Sequence, residues 1–213
     1  MSGSAGPSVE FFVQSVPGRE AWPVTEKCLA ESDVGDYVRV LQADGGTARE
    51  TFVSTMLAMA ASDAEWVVRL EDDLAGVNRF LLYNVQTWPA KLDKHFGAGW
   101  LFAPGGGNLS RSHDLPVSVR WVEDVIHGAL GVLFRKTFVM EVLWECLEWF
   151  EANPGRGGDD LAIGNAVRRL GKRIAIHAPS LLEHNTGPSA SGHTTHPLHD
   201  TSNGWFDREW RRP

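Results

Sequence analysis

Residues 66–73 read Trp-Val-Val-Arg-Leu-Glu-Asp-Asp, an apolar run that ends in three consecutive acids. The run has the length and the branched and aromatic content of a buried strand. We therefore expect a strand over Trp66–Leu70 that delivers Glu71, Asp72 and Asp73 to the edge of a sheet. Three carboxylates in one place repel one another unless a positive group joins them. A divalent cation carrying a phosphate is the interpretation we favour, and a solvated turn is the alternative.

The segments before this run alternate between strand and helix patterns. Thr47 and Glu50 have the spacing of a capping box, which marks the start of a helix. Strand, helix, strand, helix and strand within about seventy residues predict a parallel α/β sheet. The predicted elements are strands at Val9–Gln14 and Tyr37–Leu41 and helices at Trp22–Ala30 and 47–60.

Ligands of such sheets bind beyond the carboxyl ends of the strands. Arg19, Asp44 and the acidic triplet all fall at those ends. Along an extended backbone, Glu71 and Asp73 point to one side and Asp72 to the other. Two converging carboxylates, with phosphate oxygens and water, suit six-coordinate Mg²⁺ or Mn²⁺.

The second half of the chain also has alternating strand and helix patterns, so we expect it to continue the α/β sheet. No internal repeat and no linker divides it, so we expect a single domain. The predicted elements are helices at Val77–Trp88, Phe138–Phe150 and Asp159–Leu170 and strands at Trp100–Ala103, Val119–Val122, Gly128–Phe134 and Arg173–His177, followed by an irregular tail.

Composition bounds the class of protein. A chain of 213 residues can bury a sizeable core. Its net charge of −7 argues against a protein that mainly coats nucleic acid. No apolar stretch approaches the roughly 20 residues that cross a bilayer, and residues 1–8 lack the pattern of a signal peptide. Cys28 and Cys146 are isolated, which excludes a zinc ribbon and favours a reducing cytoplasm.

A second acidic group, Asp159 and Asp160, follows Gly157 and Gly158 at a predicted helix start. One interpretation is capping, because the helix dipole and free N–H groups favour acids there. The other is a general base that takes a proton from an incoming hydroxyl. The helix terminus lowers the basicity of a carboxylate, so the second role requires compensating burial.

Five of the eight histidines lie between His177 and His199. This density predicts at least one metal ligand. His184 is the best placed, because two leucines anchor it beside the sheet, and His193 is second.

Taken in order, these segments resemble the GT-A fold of nucleotide-sugar glycosyltransferases over roughly Val9–His193. The Leu70–Asp73 segment resembles the DxD-type metal motif, written here as Glu-Asp-Asp. The Gly157–Asp160 segment resembles the acidic Gly-Gly-Glu-Asp-like segment of inverting members. His184, followed by Asn-Thr-Gly, resembles the histidine that completes the metal shell. Glu replaces the first Asp of one motif, and Asp replaces the usual Glu of the other.

The resemblance implies a fold and a set of roles. The fold is α/β, a single-domain GT-A (Rossmann-like) architecture with a mixed, mostly parallel central sheet flanked by helices. Asp73 and His184 would bind Mn²⁺ or Mg²⁺. Glu71 and Asp72 would contact the ribose or metal-bound water, and Arg19 and Asp44 the nucleotide. Asp160 would be the catalytic base, and Asp159 would bind an acceptor hydroxyl.

The resemblance also implies partners and a division of the chain. Residues 1–8 would be a flexible leader, 9–185 the catalytic domain, and 186–213 a loop-rich tail packing on the active site. The donor would be a nucleotide sugar, a UDP-sugar first. The acceptor would be a glycan, a small molecule or, as in phage-type enzymes, a hydroxymethylated base in DNA. Trp100, Trp121 or Trp205 would stack on the acceptor or pack in the core.

Two other classes stay open. One is a metal-dependent nucleotidyltransferase or phosphohydrolase, which predicts a phosphate-cradling Gly/Lys loop near the first strand; Pro17-Gly18-Arg19 matches that poorly. The other is a catalytically idle module that binds nucleotide sugars.

Overall fold

The computed structural model describes residues 8–42, 47–103, 112–114, 116–122, 128–155 and 158–185. Short 3₁₀ turns cover Gly35–Tyr37, Pro89–Leu92 and Lys136–Phe138. The strands and helices of this part of the chain are β1 (Val9–Ser15), α1 (Trp22–Ala30), β2 (Val38–Gln42), α2 (Ala48–Ala60), β3 (Trp66–Glu71), β4 (Leu74–Val77), α3 (Leu81–Thr87), β5 (Phe96–Trp100), β6 (Ser118–Val122), β7 (Gly131–Arg135), α4 (Val139–Ala152), α5 (Asp159–Arg169), β8 (Arg173–Ala178) and β9 (Leu182–His184).

The central sheet has seven strands in the order β2-β1-β3-β7-β5-β8-β6. Strands β1, β2 and β3 are mutually parallel, as are β5 and β8, whereas β7 and β6 run antiparallel to their neighbours. Strand β7 lies between β3 and β5, so five of the seven strands run in one direction. This mixed, mostly parallel α/β sheet confirms the predicted fold class. A separate antiparallel pair, β4 and β9, packs beside it.

Each face of the sheet carries its own core, because successive strand residues point to opposite faces. Val67 packs with Phe52 of α2 and with residues of α4 and α5. Val68, the next residue, packs with Leu29 of α1 and Leu81 of α3. Arg69 and Glu71 have the parity of Val67 and therefore lie on the face that α5 covers.

The capping box of α2 is present as predicted. The Glu50 amide donates to the Thr47 hydroxyl at 3.2 Å, and the Thr47 amide donates to the Glu50 carboxylate at 2.6 Å. The end of α5 is also as expected, because Gly171 after it has φ of +67°, a conformation that favours glycine. These local signals mark the start of α2 and the end of α5 close to the predicted residues.

Three predicted elements were wrong in extent, and one of them, the strand predicted at Gly128–Phe134, begins only at Gly131. The helix predicted from Val77 starts only at Leu81, because residues 74–77 pair as β4 with β9, a strand that the sequence pattern did not reveal. The strand predicted at Trp100–Ala103 lies earlier, at Phe96–Trp100. Two glycines in this strand weaken its sequence pattern, so it was not recognised. Glycine is required at Gly99 because Trp88 packs against it: a Cβ there would lie 2.3 Å from Cζ3 of Trp88.

No helix within the described ranges is long and apolar enough to cross a membrane. The division into leader, domain and tail stays a prediction, because residues 1–7 and 186–213 lie outside those ranges.

Candidate functional site

The acidic triplet lies at the carboxyl end of β3, where the strand stops at Glu71 and the chain bends before β4. The two later acids share one cation: Arg19 Nη1 lies 3.2 Å from Asp72 Oδ1, and Nη2 lies 2.8 Å from Asp73 Oδ2. The extended backbone of β3 ends at Glu71, and one guanidinium reaches both of the acids that follow it. Arg19, which comes from the loop after β1, meets this edge as its position at a strand end predicted.

The backbone of the triplet is held by Thr25 of α1, which is fully buried. Its hydroxyl donates to the carbonyl of Asp72 at 2.9 Å and accepts from the amide of Leu74 at 2.9 Å. The amide of Val16 donates to Asp72 Oδ2 at 3.0 Å. These bonds tie the bend to α1 and to the end of β1, so the position of the acids is fixed from two sides.

His184 is brought to the triplet by the β4–β9 pair, in which Leu74 is the register partner of His184. Its Nε2 lies 3.4 Å from Asp73 Oδ2, and both side chains are buried. The amide of Asn185 donates to the carbonyl of Asp73 at 2.8 Å, which fixes the same junction through the backbone. The two residues that the sequence assigned to one metal shell are thus neighbours.

Arg69 is a site residue that the sequence analysis missed. Its side chain is fully buried in β3 and donates to both Glu71, at 3.4 Å, and Asp159. It also donates to Gln14 Oε1 at 2.9 Å and to the carbonyl of Ala129 at 3.2 Å. The signal was available, because an arginine inside a buried strand requires an ionic partner.

Asp159 and Asp160 open α5 and lie beside Glu71. Asp160 accepts from the amide of Gly128 at 2.7 Å and from that of Leu161 at 2.8 Å. A Cβ on Gly158 would lie 2.9 Å from Asp160 Oδ1, so glycine at this position leaves room for the carboxylate. The two acidic groups of the sequence are therefore brought together, with Arg69 between Glu71 and Asp159.

Burial shifts the pKa of two acids of the triplet. It raises the pKa of Glu71 to about 8; the Arg69 guanidinium opposes this shift, whereas the carboxylates of Asp73, Asp159 and Asp160 add to it. Burial also raises the pKa of Asp72, against the opposing effects of the Val16 amide and Arg19. Two guanidiniums join the acids: Arg19 pairs with Asp72 and Asp73, and Arg69 pairs with Glu71.

The distance between the Asp73 carboxylate and the His184 imidazole tests the metal that the family resemblance implies. Two ligands at about 2.1 Å from a six-coordinate ion, in adjacent positions, are about 3 Å apart. The 3.4 Å between Asp73 Oδ2 and His184 Nε2 is close to that separation. No group of three or more His, Cys, Asp or Glu side chains that could hold an ion was found among the residues that the structure describes. A carboxylate and an imidazole therefore fit part of a shell, whose remaining ligands would come from phosphate oxygens and water.

The other candidates divide into two groups. Asp44, His193 and Trp205 lie outside the described residues, so their roles stay predictions. Trp100 is fully buried among core residues. It therefore packs in the core, which was one of its two predicted roles, and does not form a stacking platform. Trp121 of β6 is half-buried, and the Arg173 guanidinium lies 4.6 Å from its ring centre.

Comparison with known proteins gives the fold. No model of a known protein family matches the sequence, and no curated protein matches it. Among solved structures, a glycosyltransferase involved in the glycosylation of the major capsid of PBCV-1 matches with a TM-score of 0.50 and 11% identity, over 86% of this chain and 95% of that chain. The 2-C-methyl-D-erythritol 4-phosphate cytidylyltransferase from Thermus thermophilus matches with a TM-score of 0.43 and 16% identity, over 89% of this chain and 94% of that chain. The chain has the α/β fold of the first of these structures.

Proposed function

We propose that this chain is a metal-dependent, inverting glycosyltransferase that moves a sugar from a nucleoside-diphosphate donor to a hydroxyl acceptor. The observation that supports it most is the 3.4 Å contact between Asp73 and His184, beside Arg19 and at the same sheet edge as Asp159 and Asp160. A ligand pair for a cation next to a guanidinium suits a diphosphate, and a second acidic group nearby suits the activation of a hydroxyl.

Donor binding is assigned to the triplet side of the site. Asp73 and His184 would hold Mn²⁺ or Mg²⁺, which when bound neutralises charge on the diphosphate leaving group. Arg19 adds a positive charge, and its side chain is 16% exposed, in contrast to the fully buried Arg69, so it can turn from Asp73 to a phosphate oxygen. Glu71 and Asp72 complete the donor side by contacting the ribose or water, and a UDP-sugar is the first donor to test.

Acceptor activation is assigned to the first turn of α5. Asp160 takes the proton of the acceptor hydroxyl as its oxygen bonds to the anomeric carbon, and the bond from that carbon to the diphosphate oxygen breaks. One displacement of this kind inverts the configuration. Asp159 orients the acceptor hydroxyl, since Arg69 holds its carboxylate in place. We propose a glycan or small molecule as the acceptor, or a hydroxymethylated base in DNA.

A second candidate is a nucleotidyltransferase, which joins a nucleoside triphosphate to a sugar phosphate and releases pyrophosphate. The loop after β1 lacks the Gly/Lys pattern that this class predicts, but it turns at Gly18, where φ is +76°, and places Arg19 against the acids at the strand ends. A cation on such a loop can contact a triphosphate as well as a diphosphate.

One assay separates these functions and the idle binding module. The full chain is incubated with a panel of nucleotide sugars, or with nucleoside triphosphates and sugar 1-phosphates, each with Mn²⁺ and then with excess chelator. Release of nucleoside diphosphate that stops with chelator supports the glycosyltransferase, whereas pyrophosphate release supports the nucleotidyltransferase. Binding of a nucleotide sugar without any turnover would exclude both transferases and support the catalytically idle module. Repeating the active arm on plain and hydroxymethylated DNA then identifies or excludes the DNA acceptor.

A further inference from the structure

A cavity lies at the starts of β3 and β5, the opposite end of these strands from the acidic triplet. Its volume is about 560 Å³, and Trp66 and Phe96, the first residues of β3 and β5, contribute to its wall. The acidic triplet follows the last residues of β3, and at 3.3 Å per residue the two places are about 17 Å apart along that strand. The cavity is therefore separate from the site described above.

The lining of this cavity is basic in a chain whose net charge is −7. Two acids, Asp93 and Glu141, also belong to the wall, and Asp93 accepts a hydrogen bond from the amide of His95 at 2.6 Å. The cations in the wall outnumber these acids and come from three separate parts of the chain: Lys91, Lys94, Arg135 and Lys172.

Two of these cations share one aromatic ring. Lys91 Nζ lies 4.9 Å from the ring centre of Trp66, and the Arg135 guanidinium lies 5.0 Å from it. Lys91 is only 5% exposed, and its ammonium donates to the carbonyl of Gln86 at 2.9 Å. Burial lowers the pKa of Lys91 to about 8; Glu65 opposes this shift, and the positive charge of Arg135 adds to it. A bound anion would relieve the repulsion between the two cations.

Part of the wall is apolar. Phe96, Phe138 and Leu170 contribute to it, so a ligand with an uncharged body as well as an anionic group can be accommodated. The volume is in the range of about 300–1,000 Å³ that is usual for small-molecule sites. Lys172 is held in the wall by a hydrogen bond, because its Nζ donates to the carbonyl of Lys94 at 3.2 Å.

We propose that this cavity is a second ligand site, which binds a small phosphorylated molecule. Arg135 and Lys172 contact the phosphate, Lys94 adds positive charge at the rim, and the ring of Trp66 keeps Lys91 and Arg135 in position. The site lies away from the carboxyl ends of the parallel strands, where substrates of such sheets bind, so it is separate from the proposed donor site.

Titration calorimetry on the full chain tests this assignment. The probes are inorganic pyrophosphate and glucose 1-phosphate, at low salt and with EDTA so that no metal can recruit them to the acidic triplet. We expect saturable binding that weakens at least about tenfold in the Arg135→Gln/Lys172→Gln double variant, the loss expected for two charge-assisted contacts. The control Lys27→Gln removes an exposed cation from α1 and should leave the affinity unchanged within about twofold.

Each outcome decides the proposal. Tighter binding of glucose 1-phosphate than of pyrophosphate supports a ligand with a sugar-like body, and the reverse supports a compact polyphosphate. Absence of saturable binding overturns the proposal, as does a loss in Arg19→Gln with none in the double variant, since that places the ligand at the acidic triplet. Arg135 is exposed and Lys172 partly exposed, so both variants should fold. If the double variant melts early, each single variant gives the same test, with an expected loss of about threefold.

Discussion

The guanidinium of Arg69, fully buried in β3, donates to the carboxylate of Asp159 at the start of α5, ninety positions later in the chain. The same guanidinium donates to Glu71 at the end of its own strand. One side chain thus connects the acidic end of β3 to the acidic start of α5. Because Arg69 also binds Gln14 of β1 and the carbonyl of Ala129 before β7, it fixes the sheet edge at which both groups meet.

Replacing this arginine should be among the most damaging changes outside the apolar core. Arg69→Met keeps the side-chain stem but leaves Glu71 and Asp159 without their cation, and breaking a buried pair costs about 3–5 kcal/mol of unfolding free energy. Urea denaturation at neutral pH measures this loss. The matched control is Arg39→Met, which breaks an ion pair with Glu10 at a side chain that is 61% exposed and should cost at most about 1 kcal/mol. Equal losses in the two variants would contradict the role given to Arg69.

The hydroxyl of Thr25 gives a second prediction, about positioning. Thr25→Val preserves shape but removes both the bond to the Asp72 carbonyl and the acceptor for the Leu74 amide. We expect a loss of about 1–3 kcal/mol in unfolding free energy, because two buried backbone groups lose a partner. We also expect weaker Mn²⁺ binding, measured by electron paramagnetic resonance in the presence of UDP. Thr25→Ser, which retains the hydroxyl, should recover the Mn²⁺ affinity; failure to do so would show that the hydroxyl does not position the acids.

If the proposed function is correct, substitution of Asp160 should reduce sugar transfer, whereas substitution of Asp73 should reduce donor binding. Asp160→Asn removes the proton acceptor but keeps the size of the side chain, so turnover should fall by about 10²–10⁴ with little change in donor affinity. Asp73→Asn should instead weaken Mn²⁺-dependent donor binding, measured by calorimetry. Asp63→Asn, at an exposed acid remote from both groups, is the control for loss of negative charge. Full turnover in Asp160→Asn would exclude this residue as the base.

Much of the site could be predicted from the sequence because its parts lie at the ends of regular elements. An apolar run followed by acids places Glu71 at a strand end, and a Gly-Gly-Asp-Asp segment places Asp159 at a helix start. The parity of β3 even places Arg69 on the face that α5 covers, although this inference requires the residue to be treated as buried. The spacing of apolar residues in the strand and helix patterns is enough to place these three residues.

The rest depends on tertiary contacts that no local pattern encodes. Strand β9 has only three residues, and it is ordered by pairing with β4, a partner more than 100 positions away. The proximity of His184 to Asp73 therefore followed from the family resemblance and not from any local pattern. The contact of Arg19 with both later acids depends on the bend after Glu71, which propensity does not indicate. The basic cavity combines residues of a 3₁₀ turn, two strand ends and the segment after α5, which become neighbours only in the folded chain.

His177 of β8 should make the protein lose stability in mild acid. Its side chain is fully buried, with its ring centre 5.1 Å from that of Trp88, and burial lowers its pKa to about 4, against the opposing effect of the Pro179 carbonyl. In the unfolded chain the imidazole has a pKa of about 6.5 and binds a proton first, so stability is complete above pH 6.5 and falls as the pH drops towards 4. A shift of this size corresponds to about 3 kcal/mol.

The role of His177 is tested by how steeply the free energy of unfolding changes with pH, and not by its value at one pH. His177→Phe keeps a ring against Trp88 but loses the contact of Nδ1 with the Pro179 carbonyl, 2.8 Å away, so it should be somewhat less stable at pH 7. Between pH 7 and pH 4, however, its unfolding free energy should fall by about 3 kcal/mol less than that of the unmodified chain. Urea denaturation at several pH values measures both slopes, and His95→Gln, at an exposed histidine before β5, is the control. Parallel slopes in His177→Phe and the unmodified chain would mean that another group is responsible for the acid sensitivity.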